Sequence, residues 1–237
     1  MVGLCNQMDV ICHQIRSPDN LGAIARLMAN FGYSRLVLTD PITYSFRDAE
    51  KMAVEAQQVL DSMAIEHQLQ TAVGKAVYAC GTTSRADLKG RRPLTPEQAL
   101  VRLVEQSARG RVALVFGGEK RGLSDDELAL CQDVVVIPTQ ARQPSMNLSQ
   151  SVAVMLYLCA REPAEQQPME SPGARLETLH ALEAQMEKVL LKADFLNPQA
   201  PEHAMRQLSR TLFRAQLTQR EAEMWLSAFR HLARKPK

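Results

Sequence analysis

Apolar residues in the first 160 positions alternate between short continuous runs and stripes spaced three or four apart. The runs Val10-Ile11-Cys12, Leu36-Val37-Leu38, Ala76 to Cys80, Val112 to Phe116 and Val134 to Ile137 read as strands buried on both faces. Between the first two, Asn20 to Phe31 places apolar residues at 21, 24, 25, 28 and 31, one face of an amphipathic helix, and Gly32 is set to stop it. Further helices are predicted over about Asp48 to Leu60, over Pro96 to Ala108 with proline in the first turn, briefly from Ser124, and over Leu148 to Arg161. Strands alternating with helices imply an α/β fold with a parallel sheet covered on both faces, whose ligands sit beyond the carboxyl ends of the strands. Residues 162–173 (EPAEQQPMESPG) are rich in Pro, Gln and Glu and read as a linker. Helical patterns then run over Ala174–Ala193, Pro201–Ala215 and Thr218–Leu232. The predicted organisation is a domain over 1–161, a linker over 162–173, and a small helical extension over 174–237.

Composition narrows the class. A chain of 237 residues, 46% hydrophobic and 23% charged, has room for one full core and a small second unit. The longest strongly apolar run, Val152 to Ala160, is too short to cross a bilayer. Met1 to Asp9 lacks the basic start and apolar core of a secretory signal, so a cytoplasmic protein is expected. Cys5, Cys12, Cys80, Cys131 and Cys159 are scattered and never paired as C-x-x-C, and the five histidines are equally dispersed. That pattern fits reduced thiols and no metal site. The net charge of +2 is uneven: residues 174–237 hold 11 Lys/Arg against 7 Asp/Glu, leaving 17 against 19 in the rest. A basic C-terminal end favours a polyanionic partner.

Three loops placed after strands carry the candidate chemistry: Asn20-Leu21-Gly22-Ala23-Ile24-Ala25-Arg26, Phe116-Gly117-Gly118-Glu119-Lys120-Arg121-Gly122-Leu123, and Ser145-Met146-Asn147-Leu148-Ser149-Gln150. Each has an ordinary explanation. The glycines at 117, 118 and 122 match neither G-x-x-x-x-G-K-[ST] nor G-x-G-x-x-G, and a turn capped by Ser124 or Asp125 accounts for them. Arg26 reads as a solvated helix arginine. Ser145 and Asn147 read as helix caps, and so does Asn20 together with Ser17 or Asp19. Arg206, Arg210 and Arg214 form one helical stripe, the usual pattern of a solvated face. Their order and shared polar chemistry, at one edge of one sheet, describe a composite site.

In these three segments the chain resembles the knotted SPOUT class of RNA methyltransferases, in its TrmH-like branch of ribose 2′-O-methyltransferases. That branch carries N-x-G-A-x-x-R near the start, G-x-E-x-x-G-L after a late strand, and S-x-N-L-S before the last domain helix. The likeness covers the first 160 residues. The tail, with Leu212 to Leu217 and then Glu221, looks like the helical extension of the branch's tRNA (cytidine/uridine) 2′-O-methyltransferases. One departure is Gly118, where many relatives have Arg. The resemblance implies a deep trefoil knot after the parallel sheet, a homodimer, and S-adenosylmethionine held by Thr82, Thr83, Ser84, Gly117, Ile137, Pro144, Ser145, Met146 and Asn147. It implies Arg26 as the catalytic residue, with Asn20, Glu119 and Ser145 fixing the ribose, and it raises Arg206, Arg210 and Arg214 to RNA contacts. The expected substrate is the anticodon-loop pyrimidine at position 32 of tRNA. Ribosomal RNA as substrate, a non-catalytic RNA-binding knot protein, and a small-molecule α/β enzyme are the rival readings.

Overall fold

The structure, a computed structural model, describes residues 3–42, 45–85, 87–88, 90–161, 171–197 and 199–234. Most of the predicted linker, 162–170, lies outside them. The chain divides into two compact units, Met1–Pro168 and Met169–Lys237.

The first unit runs α1 (Leu4–Gln7), β1 (Met8–His13), α2 (Pro18–Asn30), β2 (Leu36–Thr39), α3 (Phe46–Met52), α4 (Gln57–Asp61), β3 (Ala64–Glu66), α5 (Leu69–Gly74), β4 (Tyr78–Thr82), α6 (Pro96–Ser107), β5 (Val112–Phe116), α7 (Asp125–Ala129), β6 (Asp133–Val135) and α8 (Leu148–Ala160). The six strands form one sheet in the order β3-β2-β1-β5-β4-β6, and every pairing is parallel. All residues of β1 and β5 are buried, as strands with helices on both faces must be.

The edges depart from expectation. β3 is a three-residue edge strand with Ala64 and Ile65 exposed, so no apolar run announces it. The single helix expected over 48–60 is two, α3 and α4, because Glu55 adopts φ +61° and breaks the ladder between them.

The first helix shows how local chemistry sets its limits. Ser17 is its cap, accepting the Asn20 N–H, with Pro18 in the first turn. At the other end Gly32 adopts φ +77°. There the Tyr33 N–H donates to the Met28 carbonyl at 2.8 Å and the Gly32 N–H to Ala29 at 3.2 Å, the paired bonds of a Schellman stop. Its apolar stripe, Leu21, Ile24, Ala25 and Met28, is buried. Gly22 lets α3 cross at backbone contact, since a Cβ there would overlap the Ala49 carbonyl oxygen and Met52 Cβ.

The second unit holds α9 (Leu176–Lys192), α10 (Pro201–Arg214) and α11 (Gln219–Arg234) around Leu182, Met186, Leu196, Met205 and Leu226. Thr218 and Glu221 bond each other's backbone N–H at the start of α11, a capping box.

Gly22→Ala is expected to destabilise the chain by about 1–3 kcal/mol through overpacking against a backbone atom that cannot turn away. A lower urea midpoint with unchanged slope checks it; an unchanged midpoint means α3 is free to shift.

Candidate active site

In this strand order β1 and β5 are neighbours, but the chain leaves β1 toward β2 and leaves β5 toward β6. The connections diverge between them, and a crevice opens at such a switch point. Glu119, on the loop after β5, spans it. One carboxylate oxygen accepts the Arg16 N–H at 3.0 Å; the other accepts the Ser17 N–H at 3.0 Å and Asn20 Nδ2 at 2.9 Å. Burial pushes the Glu119 carboxyl up, but the Asn20 amide and the Ser17 and Arg16 N–H groups outweigh it and hold it below its ordinary value. The far end of Asn20 continues the chain, its Oδ1 accepting Asn147 Nδ2 at 3.0 Å. Asn147 caps α8, taking the Ser149 and Gln150 N–H groups on its own Oδ1. Three segments far apart in sequence are thus fastened by one line of side chains, Glu119–Asn20–Asn147.

Beside this line lies a cleft of about 330 Å³. Thr82, Thr83 and Ser84 from the end of β4, Gly117, Ile137 after β6, and Pro144, Ser145 and Met146 before α8 all line it, as do Glu119 and Arg121. Of the nine residues expected to hold a cofactor, only Asn147 is outside the lining, behind it in its capping role. The loop after β5 folds back on itself: the Gly122 N–H donates to the Gly118 carbonyl at 2.9 Å, and Gly122 takes φ +66°. A Cβ at Gly117 would overlap the Gly122–Leu123 backbone, and one at Gly118 would overlap the Gln14 carbonyl. The departure from arginine at 118 therefore has a steric counterpart, because this backbone leaves a side chain no way out.

Among the expected catalytic residues, Glu119 and Ser145 line the cleft, while Asn20 and Arg26 do not. Asn20 is buried, with its amide engaged at both ends. Arg26 is exposed on α2, and its side chain makes no hydrogen bond or ion pair to any described residue. Arg206, Arg210 and Arg214 are exposed on α10, in the second unit.

A further group escaped the sequence reading. His13, at the end of β1, bonds Thr39 Oγ1 through Nδ1 at 2.9 Å and Glu127 Oε1 through Nε2 at 3.1 Å. The same Glu127 oxygen accepts Arg121 Nη2 at 2.6 Å, and that nitrogen also donates to Gln14 Oε1 at 3.1 Å. Gln14 Nε2 in turn donates to Asp40 Oδ2 at 2.8 Å. Gln14 and Asp40 follow β1 and β2 and adopt φ +54° and +44°, left-handed values that concentrate at functional sites. Burial pushes Glu127 up, but the Ser124 N–H bond and Arg121 bring it below its ordinary value. The signal available was a polar residue closing each apolar run, His13 after Cys12 and Thr39 after Leu38. Burial pushes the Cys12 thiol up to about 12, so it stays protonated and inert. Among the described residues no cluster of His, Cys, Asp and Glu is arranged to hold a metal, and no helix is long and apolar enough to cross a membrane.

Residues 7–157 match the model of the SpoU rRNA Methylase family. The tRNA (cytidine/uridine/adenosine-2′-O-)-methyltransferase TrmJ of Pseudomonas aeruginosa is 32% identical over 232 residues, 92% of this chain and 90% of that one. The tRNA (cytidine-2′-O-)-methyltransferase TrmJ of Methanocaldococcus jannaschii is 34% identical over 154 residues, 63% of this chain and 66% of its own. The crystal structure of TrmJ from Z. mobilis superposes with a TM-score of 0.79 at 27% identity, covering 94% of this chain and 98% of that one. The chain belongs to the SpoU rRNA methylase family, within which it stands with the TrmJ tRNA 2′-O-methyltransferases.

Proposed function

We propose that this chain is a homodimeric, cytoplasmic methyltransferase that uses S-adenosylmethionine to methylate a ribose 2′-hydroxyl of tRNA, at the anticodon-loop pyrimidine of position 32. The observation that carries it is the Glu119–Asn20–Asn147 line, which fastens the three motif segments to one another beside the cleft that two of them line. The relatives that match almost end to end, tail included, bear tRNA names, and this favours tRNA over ribosomal RNA.

The cleft suits the donor. Its volume falls in the range of small-molecule sites, with apolar Phe116, Ile137 and Met146 beside the hydroxyls of Thr82, Thr83, Ser84 and Ser145. When bound, S-adenosylmethionine supplies an electrophilic methyl on a sulfonium. The deep knot belongs to the same proposal, since residues 82–85, 117–123 and 137–147 are the strand-end loops that it would tie.

Much of the rate comes from holding the acceptor oxygen in line with the methyl carbon. Arg26 cannot serve as a base, because a guanidinium keeps its protons. Its unpaired fork orients a phosphate of the acceptor and stabilises the oxyanion as the 2′-hydroxyl loses its proton to that phosphate or to water. Ser145 and Glu119 fix the ribose side of the cleft, and Asn20 acts through Glu119 as a positioning residue.

Two features support a dimer. Arg26 does not line its own chain's cleft. The second is α8, which is apolar on nearly every face yet leaves Tyr157 52% exposed, where a helix of that composition is normally covered. The basic stripe on α10 adds phosphate contacts that raise affinity without reading sequence.

RNA from cells lacking the protein is expected to lose one ribose methyl in tRNA, seen by mass spectrometry. Wild-type protein restores it. Arg26→Ala does not, although the purified variant still binds the donor. A mark lost from ribosomal RNA instead overturns the tRNA assignment, and restoration by Arg26→Ala removes that residue from the mechanism. Tyr157→Glu should shift the chain toward monomer by light scattering and abolish turnover. Replacing Arg206, Arg210 and Arg214 together with Gln should weaken tRNA binding and lower the slope of log affinity against log salt by about two to three; an unchanged slope leaves the stripe a solvated face.

A further inference from the structure

Arg121 lines the cleft and is half exposed, but it is held from two sides through one nitrogen, Nη2, by Glu127 and Gln14. An exposed ion pair contributes little to stability, yet this one has a buried foundation. Glu127 is 17% exposed, its second oxygen accepts the Ser124 N–H, and His13, 7% exposed, fixes it from behind while bonded to Thr39. The remaining donors of the fork, Nε and Nη1, make no hydrogen bond to any described residue. Supported in this way, a guanidinium with donors to spare is a preorganised anion site.

Its direction selects the anion. The donor walls of the cleft come from β4 and the segment after β6, on one side of β5. One tether of Arg121, Gln14, reaches the other way, following β1 and bonded to Asp40 after β2; the other, Glu127, comes from α7 but is itself fixed by His13 at the end of β1. That side also carries α2, with Arg26. Gly118 leaves no room for a side chain against Gln14, so a cation on this part of the rim has to come from further along the loop.

We propose that Arg121 binds a phosphodiester of the RNA next to the acceptor ribose, and that Glu127 and His13 are positioning residues that aim it. The inference rests on the methyl-transfer reading above. Every ribose within an RNA strand is flanked by phosphates, so a cation on the acceptor side meets one whatever the base. Arginine suits the task better than lysine, because one of its nitrogens can be held by the protein while the others stay free to donate to phosphate.

The test uses the full chain, a tRNA transcript with fluorescence anisotropy, and S-adenosylhomocysteine with calorimetry as the probe of the donor pocket. Arg121→Gln should weaken tRNA binding about tenfold and lower the salt slope by about one, with S-adenosylhomocysteine affinity within twofold of wild type. In turnover, the KM for tRNA should rise more than kcat falls. Glu127→Gln keeps the helix cap, because glutamine also completes a capping box. It removes a negative charge, so simple electrostatics predicts tighter RNA binding; the tether predicts weaker binding at an unchanged salt slope. Intact tRNA affinity and slope in Arg121→Gln overturn the contact, as does a loss confined to S-adenosylhomocysteine, which would assign Arg121 to the donor's carboxylate. Tighter binding by Glu127→Gln overturns the tether. Failure of the wild-type chain to methylate tRNA overturns the methyl-transfer reading instead, and the binding comparison distinguishes the two.

Discussion

A partly buried carboxylate must be given donors or it will not stay charged. Glu119 obtains its donors from two backbone amides and one side-chain amide of the segment that follows β1. The amides of Arg16 and Ser17 lie where the chain turns into α2, so the same bonds that satisfy the carboxylate set where α2 begins relative to β5. Because Asn20 passes the connection on to Asn147, the start of α8 is fixed in the same stroke. If Glu119 were lost, three segments would lose their common reference at once.

The sheet makes such a device possible. Its two central strands are buried throughout, and packed interiors resist small displacements, so strand ends are reliable places from which to hang loops. Glycine supplies the close approaches: Gly22 under α3, Gly117 under its own returning loop, Gly118 against Gln14. The cleft then has two sides of different character. Hydroxyls and apolar side chains from β4 and beyond β6 line one part; Glu119 and Arg121 line another, bonded in turn to groups of the segment that follows β1. A reaction joining a small donor to a large polyanion calls for that asymmetry.

How much of this could be read from sequence followed the range of the interactions concerned. Local chemistry was legible: Ser17, Ser124 and Asn147 cap helices as their positions announced, and Gly32 stops α2. Buried strands showed as apolar runs. β3 did not, because an exposed edge of three residues has no apolar signature, and the break at Glu55 did not, because a left-handed glutamate leaves no mark in the pattern. The motif loops could be picked out by type, but not what their members bond to. Asn20 reads as a ligand group or a cap, and its position in the middle of a line joining residues 99 and 127 apart in sequence appears only in the folded chain. The His13–Glu127–Arg121 group escaped for the same reason, its longest link spanning 114 residues.

Those separations bear on synthesis as well as on geometry. β1 is synthesised about a hundred residues before β5, one of its two neighbours in the sheet, and they pair through Met8↔Val112 to Cys12↔Phe116. The centre of the sheet therefore stays open until Phe116 has been made, and Asn147 arrives later still. No growing intermediate has the fastened cleft, and a chain cut short before α8 lacks its last member. The site is in effect a proof of completion, present only in molecules whose first domain has been read to its end.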